Sequence, residues 1–302
     1  MISVVIACFN GQAVLPKTLV ALCSLDKPSQ EVEFIIVDNA STDDTRKILD
    51  DFVDKLPLKI MSESQTGKIF AINKGLVQAR GELIVFSDDD VIPSKDWLVE
   101  YEKVAQRQSD YSVFLGQVRP AWPRKPPKWL EQLSDDGLAC GCTSKSLVEG
   151  PASINWAKGA NFCVRREVMY KVSFRTDLWI AGDNPVGGED TDFIIKAKAI
   201  GYEPWFVPQA SLQHIIRLYE MTLKGISMRC FRIGRSMEVL DSNVVDIPKF
   251  FFGYPRWAFS KVFKQVIRMA VYAMKFDCYA AVRKMMEIAT FAGRQYERKN
   301  HH

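Results

Sequence analysis

A chain of 302 residues, 47% of them hydrophobic and 25% charged, can bury a sizeable core, as one large domain or one domain with an appendage. This composition excludes disordered, collagen-like and coiled-coil classes. The net charge of +4 hides an asymmetry, because residues 215–302 hold 16 Lys and Arg against 7 Asp and Glu, a local +9 that leaves −5 on residues 1–214. That split gives the acidic part the charge to host a cation and turns the basic part toward something anionic, or else marks a solvated helical face.

In chain order, short β-branched runs alternate with amphipathic stretches over residues 2–87, the mark of α/β units on a largely parallel sheet. Strands are predicted at Ile2 to Ala7, Glu33 to Val37, Leu58 to Met61 and Leu83 to Phe86, all continuous apolar runs suited to burial on both faces. Helices are predicted over about 13–25, 43–55 and 68–79, the second opened by the capping cluster Ser41-Thr42-Asp43-Asp44. A helix of about Lys95 to Gln108 and a strand of about Ser112 to Val118 follow. The prolines of 120–127 then open a stretch to about Ser153 that reads as a long loop or lid. Order returns with Gly159 to Val164 and a helix that Gly187-Gly188-Glu189-Asp190-Thr191-Asp192 caps, then with strand-like Trp205 to Val207 and Ser211 to His214. Helices from Tyr219 to Leu240, about Pro255 to Phe276 and Cys278 to Tyr296 complete the chain; His301 and His302 read as the stub of a tag.

Seven cysteines are scattered without a C-x-x-C pair or zinc spacing and read as reduced thiols. Met1 leads straight into S-V-V-I-A-C-F-N, a strand and no signal peptide, so a cytoplasmic location is expected. No apolar run reaches the roughly 18 residues that a bilayer span requires. No nucleic-acid partner is expected.

In an open parallel sheet, ligands bind beyond the carboxyl ends of the strands. Phe9 and Asn10 follow the first predicted strand, Asp38 and Asn39 the second, and Asp88, Asp89 and Asp90 the fourth. The first two loops offer an apolar slot and hydrogen-bonding groups for a nucleoside, and the third offers carboxylates for a divalent cation and a diphosphate. Three consecutive carboxylates repel one another, at a cost that bound Mg²⁺ or Mn²⁺ would remove; an acidic turn capping the next helix is the bland alternative. Neither G-x-G-x-x-G after the first strand nor a P-loop motif is present, which removes the main support for a dinucleotide oxidoreductase or a P-loop enzyme.

Six ordered blocks, S-V-V-I-A-C-F-N, E-F-I-I-V-D-N-A-S-T-D, G-K-I-F-A-I-N-K-G, A-R-G-E-L-I-V-F-S-D-D-D, K-G-A-N-F-C-V-R-R and G-G-E-D-T-D-F, make residues 2–214 resemble the inverting family 2 glycosyltransferases. The resemblance implies a GT-A fold, a Rossmann-like, mostly parallel α/β sheet flanked by helices, here with a helical C-terminal extension. It implies a catalytic domain over 1–216, with a nucleotide-sugar half 1–118 and an acceptor half 119–216, and a basic, aromatic helical region over 217–302. Ala7, Phe9, Asn10, Asp38 and Asn39 would hold the nucleoside, with Lys68 near the base or phosphates. Asp88 and Asp90 match the ends of the D-x-D motif and, with His214, would serve the metal, while Asp89 would meet the ribose or donor sugar. Asp190 would be the base that takes the acceptor proton, with Glu189 second, and its place at a helix N-terminus would favour the ionised form. The donor implied is a nucleotide-sugar, a UDP-sugar in the first instance, although Asn39 replaces the usual second carboxylate. The acceptor implied is a glycan or a lipid-linked glycan. The Q-x-x-R-W signature of processive synthases is absent after His214, which implies one sugar per encounter.

Two rival functions are a nucleotidyltransferase making nucleotide-sugars, which would carry a Gly-rich loop where Gly11 stands alone, and a non-catalytic sugar-nucleotide-binding relative. From Lys249 to Lys275 aromatics mix with Lys261, Lys264 and Arg268 at helical spacing. That pattern suits either an anionic membrane surface, such as the inner face of the plasma membrane, or packing on the chain's own core or on a second subunit in a homodimer.

Overall fold

The computed structural model describes residues 1–176, 187–241 and 256–300. Residues 249–255, which open the aromatic stretch, and the terminal His301 and His302 lie outside the described residues. Contacts group the chain into two units: Met1–Pro123, Ser134–Thr176 and Glu189–Ile216 in one, and Arg124–Leu133, Asp177–Gly188 and Arg217–His302 in the other.

The first unit is built on a sheet of β1 (Ile2–Cys8), β2 (Val32–Asp38), β3 (Leu58–Ser62), β4 (Leu83–Asp88), β5 (Val91–Pro93), β6 (Val113–Ala121), β7 (Gly150–Pro151), β8 (Asn161–Arg165) and β9 (Pro204–Ile215). Their order is β3-β2-β1-β4-β8-β6-β9-β5, with β7 on β9. The first four run parallel, as their continuous apolar runs predict, and β8 enters antiparallel between β4 and β6. The register sets Cys8 beside Asp38 and Ala7 beside Asp88, so the polar residues after β1, β2 and β4 emerge at one edge. Helices α1 (Leu15–Cys23), α2 (Thr45–Asp50), α3 (Lys68–Gln78) and α4 (Trp97–Arg107) fill the connections.

The sequence reading and the structure differ at three places. The stretch expected as a long loop carries a helix, α5 (Lys128–Asp135), and β6 runs on through Pro120 to Ala121. Proline is tolerated there because Val118 turns its N–H and C=O away from β9 toward Thr143, and two residues on Pro120 faces the same side, where no strand requires a donor. The two expected strands 205–207 and 211–214 are one strand, β9, broken only in register, which jumps from Gly116↔Val207 to Gln117↔Ser211 and lets Pro208 to Ala210 bulge out. The helix expected from Tyr219 starts later, after a 3₁₀ turn over Leu218–Met221. After β8 come the short α6 (Arg166–Met169) and then α7 (Glu189–Ala199).

One buried amide ties four elements of this unit. Asn161 at the start of β8 is wholly buried; its Oδ1 accepts from Trp97 Nε1 at 2.9 Å and Tyr101 Oη at 2.8 Å, both on α4. Its Nδ2 donates to the carbonyls of Gln117 on β6 and Ala210 on β9, each at 2.8 Å. Every hydrogen-bonding capacity of the amide is thereby used.

The second unit contains α8 (Leu223–Leu240), α9 (Arg256–Met274) and α10 (Cys278–Asn300). Helices α8 and α10 approach closely where Gly234 and Gly293 leave out side chains: a Cβ on either would lie 1.9 Å from a carbonyl oxygen of the other helix. Arg235 and Glu297 form a buried pair at 2.5 Å across that contact, and Arg294 and Arg298 both bond Glu238. Helix α9 sets Trp257 on Phe291 of α10, ring centroids 5.7 Å apart, and leaves most of its other apolar residues exposed. Among the described residues no helix is long and apolar enough to cross a membrane.

Asn161→Leu strands two buried donors and two carbonyls, so a loss of about 3 kcal/mol or more in urea unfolding is expected, against a small change for an exposed control such as Val77→Thr.

Candidate active site

Five carboxylates, Asp88, Asp89, Asp90, Glu189 and Asp190, gather at and just beyond the end of β4 and at the start of α7. The three consecutive aspartates do not share one partner. Asp88 Oδ1 lies 2.8 Å from Lys68 Nζ, Asp89 accepts the Phe9 N–H at 3.3 Å and a bond from the Cys8 thiol, and Asp90 Oδ2 lies 3.4 Å from His214 Nε2. Their mutual repulsion is therefore eased by three separate contacts. Thr18 of α1 fixes this loop from below, donating to the Asp89 carbonyl at 2.8 Å and accepting the Val91 N–H at 3.1 Å.

Lys68, the first residue of α3, also reaches Asp190 Oδ2 at 3.2 Å, so it joins the end of β4 to the start of α7. Burial opposes its charge, but Asp190, Asp88 and Glu189 outweigh burial and hold the ammonium well above the ordinary lysine range. Burial pushes the Asp190 carboxyl up to about 6; Lys68 pulls the other way, and Glu189 and Asp88 push it further up. Despite its place at a helix N-terminus, which favours the ionised form, the carboxyl is held above the ordinary carboxylate range. Asp89 is likewise raised to about 6, by burial first, with the Cys8 bond opposing and the charges of Asp90 and Asp88 adding.

The two nucleoside-side loops are stitched together. Asn10 is left-handed at φ 49° and Ala40 at φ 59°. The Asn10 N–H meets Ser41 Oγ at 3.0 Å, its Oδ1 accepts the Thr42 N–H at 2.8 Å, and Gly11 N–H meets Thr45 Oγ1 at 2.8 Å. Asp38 is buried and accepts the Ser41 N–H at 3.1 Å. Phe9 exposes 55% of its surface, an uncovered ring at the mouth of this region, and Ala7 is half-buried beside it. Asn39 stands differently from the expectation. Its Nδ2 donates to the carbonyls of Gln65 at 2.6 Å and Glu63 at 3.3 Å, and its Oδ1 accepts the Gly67 N–H at 2.7 Å. The amide is spent on holding the loop that delivers Lys68.

His214 Nδ1 faces the Cys140 carbonyl at 3.1 Å, an arrangement that calls for a proton on Nδ1 and leaves the Nε2 lone pair toward Asp90. A histidine that donates its other N–H to a backbone carbonyl is the usual support of a metal ligand. Among the described residues no three His, Cys, Asp or Glu side chains are grouped to hold an ion. Mg²⁺ and Mn²⁺ sites completed by substrate phosphates and water need only one or two protein ligands, so Asp90 and His214 fit such an ion, while Asp88 here pairs with Lys68.

Sequence reasoning missed Thr18, Cys8 and Gly159. Gly159 is the most consequential: a Cβ placed on it would lie 1.8 Å from Asp190 Oδ2, so the backbone at 159 forms one wall of the carboxylate's seat. The K-G-A-N block carried that signal, because its Gly and Asn serve different needs, room for Asp190 and the Asn161 hub.

Comparison with known proteins accords with this geometry. Residues 3–171 match the model of glycosyl transferase family 2, and the chain belongs to that family. It is 28% identical over 243 residues to the glycosyltransferase AglE of Haloferax volcanii, spanning 78% of this chain and 72% of AglE. The mannosyltransferase PcManGT from Pyrobaculum calidifontis, solved in complex with GDP-Man and Mn²⁺, superposes at a TM-score of 0.65 with 17% identity over 98% of this chain and 85% of its own. Staphylococcus aureus TarS 1-349 in complex with UDP-GlcNAc superposes at 0.57 with 15% identity, over 95% and 90%. The fold is GT-A with a C-terminal helical region, and the protein is a transferase.

Gly159→Ala is expected to displace the Asp190 carboxylate and lower glycosyl transfer about 100-fold while the melting temperature stays within a few degrees of wild type, as measured by donor turnover and calorimetry.

Proposed function

We propose that the enzyme moves a sugar from a nucleotide-sugar, a UDP-sugar in the first instance, to a hydroxyl of a glycan or lipid-linked acceptor, with inversion and one sugar per encounter. The observation that carries this reading is Lys68, held 2.8 Å from Asp88 and 3.2 Å from Asp190: the end of the donor-side strand and an acceptor-side carboxylate belong to one site. Residues 1–216 act as the catalytic domain in this reading, with 217–302 as a basic appendage.

In the reaction, Asp190 takes the proton of the acceptor hydroxyl as that oxygen bonds to the anomeric carbon, and the bond from that carbon to the diphosphate oxygen breaks. Direct displacement inverts the anomeric centre and needs no covalent intermediate. Lys68 presents its charge to the departing diphosphate, Phe9 supplies an apolar face for the base, and Asp38 and Asn10 shape the nucleoside loops. A divalent cation at Asp90 and His214, when bound, supplies further neutralisation of the leaving diphosphate. The family's solved neighbours support both donor types, UDP-GlcNAc on TarS and GDP-Man with Mn²⁺ on PcManGT. Because the Asn39 amide is occupied by chain carbonyls, base choice falls to the neighbouring loop, and UDP remains the first donor to test.

Asp190→Asn is expected to lower transfer about 1,000-fold while thermal stabilisation by UDP with Mn²⁺ persists. Near-normal turnover would move the base to Glu189, and a larger stabilisation by GDP or dTDP would replace UDP as the donor base.

With the Asp190 carboxyl near 6, the rate is expected to fall as pH drops through about 6, since the protonated acid cannot accept a proton. Lys68→Gln removes the charge that lowers this value, so the acid limb of the pH–rate profile should move to higher pH; an unmoved limb would detach Lys68 from Asp190 during turnover.

A further inference from the structure

Helix α9 leaves a broad apolar face uncovered. Phe263, Val266, Ile267 and Met274 recur at helical spacing on one side, exposing 66%, 41%, 48% and 72% of their surfaces, and Phe276 just beyond the helix exposes 90%. Phe263 and Val266 also line, with Val262, Phe291 and Ala292, an apolar groove of about 760 Å³ between α9 and α10. Beside this face run Lys261, Lys264, Arg268 and Lys275, which helical periodicity gathers into a second stripe. No acidic residue occurs from 256 to 276. Among the described residues Lys264, Arg268 and Lys275 have no acidic partner, so their charge is uncompensated along about 17 Å at the helical rise.

We propose that α9 lies in the plane of an anionic membrane surface, with Phe263, Val266, Ile267 and Met274 dipped below the head groups and the lysine and arginine stripe set among the lipid phosphates. An apolar face edged on one side by cations is the pattern of an interfacial helix. Each cation near an anionic surface adds attraction that falls off within a Debye length, and insertion of the apolar face adds a part that salt does not remove. A second copy of this chain suits the face less well. A two-fold contact through α9 brings the same patch of both copies together, and with it two regions that each carry +9. The inference stands apart from the catalytic reading, since none of these residues belongs to the active site, and it places a lipid-linked acceptor at the surface where the enzyme sits.

The test is flotation of the full-length protein with vesicles of phosphatidylcholine alone and of phosphatidylcholine with phosphatidylglycerol. Wild type is expected to float with the anionic vesicles only, and less so in high salt. Lys264→Glu, Arg268→Glu and Lys275→Glu together are expected to lower partitioning about 100-fold or more. Phe263→Ser with Ile267→Ser is expected to leave binding weak and fully removable by salt. Circular dichroism and nucleotide stabilisation, unchanged in both variants, exclude misfolding as the cause. Failure of wild type to float, equal flotation with neutral vesicles, or undiminished flotation of the charge-reversed protein overturns the proposal. So does a dimeric mass by light scattering that Phe263→Ser with Ile267→Ser halves, which would assign the face to a second copy.

Discussion

The organising constraint of this molecule is a crowd of negative charge at the end of β4 and the start of α7, bridged by Lys68. Five carboxylates within one site cannot all stay ionised at ordinary cost, and the chain answers by dividing them. Lys68 takes Asp88 and Asp190, His214 takes Asp90, and the Phe9 N–H and Cys8 thiol take Asp89. Burial first, with the neighbouring carboxylates adding, pushes the Asp89 and Asp190 carboxyls up to about 6. Residual electrostatic frustration of this kind is a usual mark of a site that awaits a ligand of opposite or matching charge.

Much of the fold was legible because periodicity and burial agree. The strands after which ligands should bind were read within a residue or two, since β1, β2 and β4 are covered on both faces and leave continuous apolar runs. The antiparallel insertion of β8 could not be read, because an apolar strand gives no sign of direction. The stretch after Pro120 misled for a definite reason. A proline signals a break only where its missing N–H is needed, and on β6 that side meets Thr143 two residues earlier and no strand at all. The two strands expected at 205–207 and 211–214 are one, interrupted by a bulge.

The site was legible as a set of positions and less so as a set of partners. Asp88, Asp90 and His214 come near one another as residues, yet their side chains choose different neighbours, and only three-dimensional distances reveal the choice. Asn39 illustrates the limit well. Its position after β2 suggested contact with a base, but a buried amide must satisfy its hydrogen bonds first, and the carbonyls of Glu63 and Gln65 were closer. Gly159 was invisible as a functional residue because its contribution is the absence of a side chain beside Asp190.

A division of labour follows between neutral and charged polar groups. Asn161 and Asn39 make short bonds to chain atoms with every donor engaged, and a neutral amide so satisfied has nothing to gain from a ligand. Such residues build the frame. Lys68, Asp90, Asp190 and His214 are held by pairing between ions or potential ions, where one partner can be exchanged for another of the same sign at little cost. In the proposed reaction a diphosphate would replace a carboxylate at Lys68, and a divalent cation would be held by Asp90 and His214. The polar groups that are fully satisfied therefore fix the geometry, and those that are merely neutralised carry the capacity for chemistry: Asp90 and His214 at strand ends, Lys68 and Asp190 at the first turns of α3 and α7.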